Sequence, residues 1–162
     1  MQAISVQDIM EKNVVSVRPD TPLSEAAAML AKHGFDGVPV VDEQNTLCGI
    51  LTEYDLVSKG SAIHLPTFQK ILENMPVFSK DKKEFQSDVA EVANMKVRAV
   101  MNDDPLTLSH DATYEEAVTA FREHHRVNPI PVIDKDRKVI GVVSRFDVLK
   151  PLRAIADTTN NQ

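Results

Sequence analysis

VPVVDEQNTLCGILTEYD, residues 38–55, returns near the other end of the chain as IPVIDKDRKVIGVVSRFD, residues 130–147. Each stretch sets two apolar runs around a polar, turn-prone segment, DEQN or DKDR, and so predicts a β-hairpin. Each then closes on the same order: glycine, two aliphatics, a hydroxyl residue, any residue, an aromatic and aspartate.

Working outward, the match extends well beyond the hairpins. Val6–Met10 (VQDIM) recurs 91 residues later as Val97–Met101 (VRAVM). At the same offset Ser16 faces Thr107, Asp20 faces Asp111, and Glu25-Ala26 faces Glu116-Ala117. One residue then slips, and Gly49, Thr52 and Asp55 meet Gly141, Ser144 and Asp147 at an offset of 92. One slip over so long a register marks an internal repeat.

Each copy reads as strand, helix, strand, strand, helix. Val14–Val17 and Leu106–Leu108 predict short strands. Leu23, Ala26, Ala27 and Leu30, and opposite them Tyr114, Ala117, Val118 and Phe121, follow the spacing of a helix with one buried face. Thr113 with Glu116 predicts a capping box, and Pro22 suits a first helical turn. Short helices are expected from Glu53 and from Arg145, and the strand–helix–strand start predicts a right-handed crossover. The fold class is α/β (α+β by some schemes). Repeat 1 spans 1–60, a helical insertion 61–96, repeat 2 97–153 and a frayed tail 154–162. Within the insertion, Leu65, Phe68, Leu72 and Met75, then Phe85, Val89, Val92 and Ala93, predict two helices around KDKK.

Composition narrows the function classes. The chain has 162 residues, 43% hydrophobic and 26% charged, with runs of apolar residues no longer than a strand, so no membrane span is expected. The single cysteine, Cys48, permits no internal disulfide and, in an apolar strand, reads as buried packing; a cytoplasmic setting is expected. The net charge of −6, with scattered basic residues, argues against nucleic acid as a partner.

The repeated loop supports two readings. As a helix start, Thr52 or Ser144 caps a backbone N–H and Asp55 or Asp147 sits at the positive helix end. As a binding loop, the aspartate accepts both hydroxyls of a ribose while the helix N-terminus offers a phosphate seat. Gly49 and Gly141, inside strands, have no capping role and mark a bulge or a place where a ligand meets the backbone. Val38-Pro39 and Ile130-Pro131 supply an apolar wall suited to an adenine face.

With the repeated order of a strand near Val14–Val17, the EA helix, VPVVD or IPVID, and then G-h-h-[ST]-x-x-D, the chain resembles a tandem pair of CBS domains, a Bateman module. The resemblance covers about 5–58 and 97–152. It implies two β-α-β-β-α units packed sheet to sheet about a pseudo-twofold axis, commonly paired as homodimers through helices. It also implies clefts between the motifs for AMP, ADP, ATP, S-adenosylmethionine, or sometimes NAD-type or cyclic dinucleotides. Carried over by position, Asp55 and Asp147 would hold ribose, and Thr52 and Ser144 ribose or phosphate. Ser16, Val38, Pro39, Thr107, Ile130 and Pro131 would line adenine. The family's frequent arginine before the aspartate is replaced by Tyr54 and Phe146. Beyond the family pattern, Arg145, with the basic cluster His124-His125-Arg126 carried by the same repeat, favours phosphate in the second cleft. Glu53 in the first would repel it.

No zinc-type spacing, Walker A loop, G-x-S-x-G or G-x-G-x-x-G occurs, and no dedicated carboxylate cage for magnesium stands out. The expectation is a non-enzymatic regulatory module that requires no cofactor or metal. It would sense an adenosine ligand and signal to an unidentified protein. The alternatives are a ligand-free dimerisation module and an enzyme acting on nucleotides.

Overall fold

The computed structural model describes residues 4–58 and 95–152. The expected insertion helices and the tail lie outside the described residues. In chain order the elements are α1 (Val6–Ile9), α2 (Leu23–His33), β1 (Gly37–Val41), β2 (Leu47–Thr52) and α3 (Glu53–Ser58). After a 3₁₀ turn at Val97–Ala99 come β3 (Leu108–Ser109), α4 (Tyr114–Glu123), β4 (Ile130–Ile133) and β5 (Val139–Val143). A second 3₁₀ turn covers Asp147–Leu149, where the sequence predicted a helix from Arg145.

Both hairpins form, and in each repeat the backbone ahead of the long helix pairs parallel with its hairpin. Leu108 pairs with Val132 and Ser109 with Ile133 in a three-stranded sheet ordered β3-β4-β5. In the first repeat the parallel contact shrinks to one bridge, Val17 with Val40, beside the two-stranded β1-β2 sheet. The leading strands are shorter than predicted for a reason written in the sequence. Val17 donates to the carbonyl of Pro39 and accepts from Val41 N–H, so the next rung toward the N-terminus would need a donor at Pro39, which has none. Pro131 occupies the same place in the second repeat.

Helix ends follow local chemistry. Thr113 and Glu116 form the expected capping box, with Thr113 Oγ1 accepting from Glu116 N–H and the Glu116 carboxylate accepting from Thr113 N–H at 2.7 Å. Pro22 stands at the cap position of α2, one residue ahead of the first turn. The α2 helix stops at Gly34 in the left-handed region (φ 64°), as helices commonly do. The one-residue slip of the repeat falls just here: the second connection is longer and contains a cis Asn128–Pro129 bond.

Two compact units result, and they do not coincide with the two repeats. One unit comprises residues 1–15, 43–47 and 104–162; the other comprises 16–42 and 48–103. Each repeat has given its leading segment to the other's core. Val97 and Val100 are buried with Val17, Leu23, Ala26, Leu30, Val38, Val40 and Leu51. Val6 and Ile9 are buried with Leu108, Ala117, Phe121, Ile130, Val132 and Val143. Backbone bonds repeat the exchange position for position: Leu23 N–H to Met95 and Val97 N–H to Thr21 in one unit, Tyr114 N–H to Ile4 and Val6 N–H to Ala112 in the other. Each buried aliphatic side chain contributes about 1.5–3 kcal/mol, so the exchanged pairs are substantial parts of both cores.

The exchange also accounts for the strand glycines. A Cβ on Gly49 would lie 2.5 Å from the Asn102 carbonyl oxygen, and one on Gly141 would lie 2.5 Å from Met10 Sδ and 3.2 Å from the Glu11 carbonyl oxygen. Where the sequence predicted a bulge or room for a ligand, the neighbour crowding each glycine is the incoming leading segment. Cys48, expected to be buried, is half-buried and packs against the edge of its core.

Candidate functional site

The Thr52–Asp55 turn joins the end of β2 to the start of α3. Asp55 Oδ2 accepts from Thr52 N–H at 3.1 Å and from Thr52 Oγ1 at 2.7 Å, and Asp55 N–H donates back to Thr52 Oγ1. Thr52 and Asp55 are each only 7% exposed. The second turn repeats the plan. Asp147 Oδ2 accepts from Ser144 N–H and Ser144 Oγ, both at 2.7 Å, while Asp147 N–H donates to the Ser144 carbonyl. A hydroxyl–carboxylate bond closes both turns, but only Thr52 also caps the aspartate N–H as the helix-start reading expects; in the second turn that N–H goes to the Ser144 carbonyl instead.

The phosphate seat expected at the helix N-termini is not an array of open donors. Glu53 N–H donates to the Asp36 carbonyl at 2.9 Å, and Arg145 N–H donates to Asn128 Oδ1 at 3.0 Å. With these two donors taken, an anion there depends more on side chains than on backbone N–H groups. Neither Asp36 nor Asn128 carried a sequence signal for this duty, because a lone amide or carbonyl before a strand looks like any loop residue.

The expected adenine-lining residues assemble within each unit. Val38 and Pro39 are buried at the entry of β1, and the Val17 N–H to Pro39 bond sets Ser16 beside that entry. Ile130 and Pro131 are buried at the entry of β4, and the Leu108–Val132 pairing sets Thr107 beside Pro131. Exposed rings border the turns, Tyr54 at 41% and Phe146 at 71% exposure.

Charge is where the turns diverge. The Arg145 guanidinium lies 5.2 Å from the centre of the Phe121 ring and donates to the carbonyls of His124, His125 and Val127. It brings a cation to the end of α4 beside exposed His125 and Arg126, but there it serves the helix's last carbonyls. Lys150 joins the second turn, its Nζ 2.8 Å from Asp147 Oδ1. Its i+3 spacing from Asp147 is the one sequence signal that could have placed it there. Around the first turn the neighbours are acidic. Partial burial, with smaller contributions from Asp36 and Asp55, raises the Glu53 carboxyl above the usual carboxylate range.

A separate surface depression of about 440 Å³ runs along α4, lined by Leu106, Thr113, Glu116, Ala120, Glu123 and His124 among others. Its carboxylates suit no phosphorylated ligand, and it touches neither turn. Among the described residues no three His, Cys, Asp or Glu side chains gather as for a metal ion, and no helix is long and apolar enough to cross a membrane.

The family model for the CBS domain matches twice, over residues 6–61 and 97–154. The chain belongs to the CBS-domain family. The CBS pair is similar to chloroplastic CBSX2 of Arabidopsis thaliana, 26% identical over 160 residues, 97% of this chain and 67% of that one. The solved structure of CBSX2 in complex with AMP is 25% identical, with a TM-score of 0.69, covering 94% of this chain and 98% of that one. Inosine-5'-monophosphate dehydrogenase of Aquifex aeolicus is 31% identical over 138 residues; this CBS pair spans 85% of its own length but only 22% of that enzyme. The CBS pair of protein MJ0100, solved with 5'-methylthioadenosine and S-adenosylmethionine, shares the fold at a TM-score of 0.67 with 21% identity, over 95% of this chain and 99% of that one.

Proposed function

We propose that this CBS pair is a non-catalytic regulatory module that binds an adenosine-containing ligand at the Thr52–Asp55 and Ser144–Asp147 turns and passes its occupancy to a partner protein. The observation that carries the reading is the duplicated box itself. In both units a carboxylate fixed by a hydroxyl lies after a strand whose sheet neighbour opens on a buried apolar-proline pair. A carboxylate held in this way can accept the two hydroxyls of a ribose while the apolar pair packs on adenine. The AMP complex of CBSX2 supports the ligand class.

AMP, ADP and ATP are the ligands proposed for the second turn, where Arg145, Lys150, His125 and Arg126 make the surroundings positive. The first turn, with Glu53, suits a nucleoside of lower negative charge, S-adenosylmethionine being one. The module needs no cofactor or metal for this role, and a homodimer paired through α2 and α4 in the cytoplasm completes the proposal.

Thermal unfolding with each of AMP, ADP, ATP and S-adenosylmethionine tests the reading. A ligand at a hundred times its dissociation constant adds about 2.7 kcal/mol to the folded state, a midpoint rise of about 5–10 °C at this chain length. The rise should disappear in Asp147→Ala for a phosphorylated ligand. The occupied Glu53 and Arg145 N–H groups favour one second reading, a CBS pair that pairs subunits without a ligand; an unchanged midpoint with all four compounds would support it.

A further inference from the structure

We propose that Lys150 is a positioning residue that ties occupancy of the Ser144–Asp147 turn to the leading segment 5–12. The inference rests on reading Asp147 as a ribose acceptor, and adds how that site would be regulated.

The Lys150 ammonium holds two negative ends at once. Nζ lies 2.8 Å from Asp147 Oδ1 and 2.5 Å from the carbonyl oxygen of Ile9. Ile9 is the last residue of α1, where a carbonyl has no partner within its own helix. Just beyond it, Met10 Sδ rests against Gly141, and Glu11 exchanges two backbone bonds with Val142, Glu11 N–H to Val142 at 2.9 Å and Val142 N–H to Glu11 at 3.0 Å. The leading segment therefore lies along β5, the strand that runs directly into the turn.

A ribose arriving at Asp147 must displace a bond. Oδ2 accepts two bonds from Ser144 that close the turn itself. Oδ1 accepts from an ammonium whose side chain is 45% exposed, a solvent-screened contact and the weaker of the two holds. The diol takes Oδ1, the ammonium leaves, and the same departure loosens the tie on Ile9. Only the second turn can work in this way, because the position equivalent to Lys150 in the first repeat is Ser58.

Adenosine is the probe of choice, since it has no phosphate to attract the ammonium and reads only the contest for Oδ1. Coupling between ligand and clamp is reciprocal: whatever factor adenosine takes from the clamp, the clamp takes from adenosine. Lys150→Met keeps the length of the stem and removes the charge. Calorimetry should show adenosine binding Lys150→Met roughly five- to tenfold more tightly than wild type. Hydrogen exchange at the Met10 and Glu11 amides should quicken when adenosine is added to wild type. In Lys150→Met it should be fast from the start and unresponsive, and Lys150→Arg should restore the wild-type response. Equal or weaker adenosine affinity in Lys150→Met, or the same exchange response in both proteins, overturns the clamp while leaving the site intact. If wild type binds neither adenosine nor AMP, the ribose reading fails and the coupling fails with it.

Discussion

The two turns of this CBS pair share a hydrogen-bond plan and part company over charge. Thr52 and Asp55 are nearly closed to solvent, and between them stands Glu53, near Asp36. Ser144–Asp147 is half-buried and carries Arg145 in that place, with Lys150 on its carboxylate. A duplicated box fixes backbone geometry through short bonds between residues three apart, and such bonds are indifferent to what the second residue carries. The difference teaches that one scaffold can hold two chemically unlike turns, because the neighbouring charges are set by residues that the turn's own bonds do not involve.

Four experiments would break or sharpen that comparison. The largest effect is expected at the strand glycines. Gly49→Ala drives a methyl into the Asn102 carbonyl, a backbone atom that cannot swing aside, and should cost about 3 kcal/mol. Gly141→Ala meets chiefly the flexible Met10 side chain and should cost about 1 kcal/mol. Equal losses in urea unfolding would show that the two leading segments are held alike.

Next come the aspartates. Asp55→Ala leaves the Thr52 N–H without its acceptor in a buried turn and should destabilise by about 2 kcal/mol. Asp147→Ala acts on a more exposed turn and should cost about 1 kcal/mol. Circular-dichroism melts of the two variants would check the order.

Third is the exchange of charge. Arg145→Glu should weaken AMP binding about tenfold or more, and Glu53→Arg should strengthen it at the first turn by a similar factor. Because Arg145 also caps α4, the melting temperature of Arg145→Glu must be followed beside its affinity; affinity fully kept by Arg145→Met at equal stability would show that the positive charge does not carry the effect.

Smallest are two opposed pH effects. The Glu53 carboxyl is raised, so the folded state favours its neutral form: the penalty is absent below the ordinary carboxylate value and grows as pH rises through the folded one. Glu53→Gln should therefore gain on wild type at pH 7 and lose that advantage near pH 4. Glu116 is lowered, chiefly by the Thr113 backbone bond, so its contribution is present above the ordinary value and lost as pH falls through the folded one. Glu116→Gln should be less stable than wild type at pH 7 and match it in strong acid. Parallel pH profiles for the two variants would contradict both assignments.

Much of the site could be read in advance because its signals are local. The Thr113–Glu116 box, the Thr52–Asp55 and Ser144–Asp147 turns and both hairpins depend on residues within a few positions of one another. Gly49 and Gly141 suggested a bulge or a ligand, and the leading segments stand there instead, since a missing side chain says only that room was needed. Arg145 looked like a phosphate ligand by its place in the loop. Its engagement with the His124 and His125 carbonyls depends on where α4 ends in space, and position in the chain does not encode that distance.

By itself, then, the sequence determined the repeat, the elements within it, the family and the residues of the two turns, because periodicity, capping and turn chemistry act over a few residues. Only the tertiary structure decided which core each leading segment enters. Val6 and Ile9 are as apolar as Val97 and Val100, and either pair could fill either core. Burial is non-directional, so hydrophobicity alone cannot choose between equivalent sites. The path of the chain and the backbone bonds at its ends make that choice.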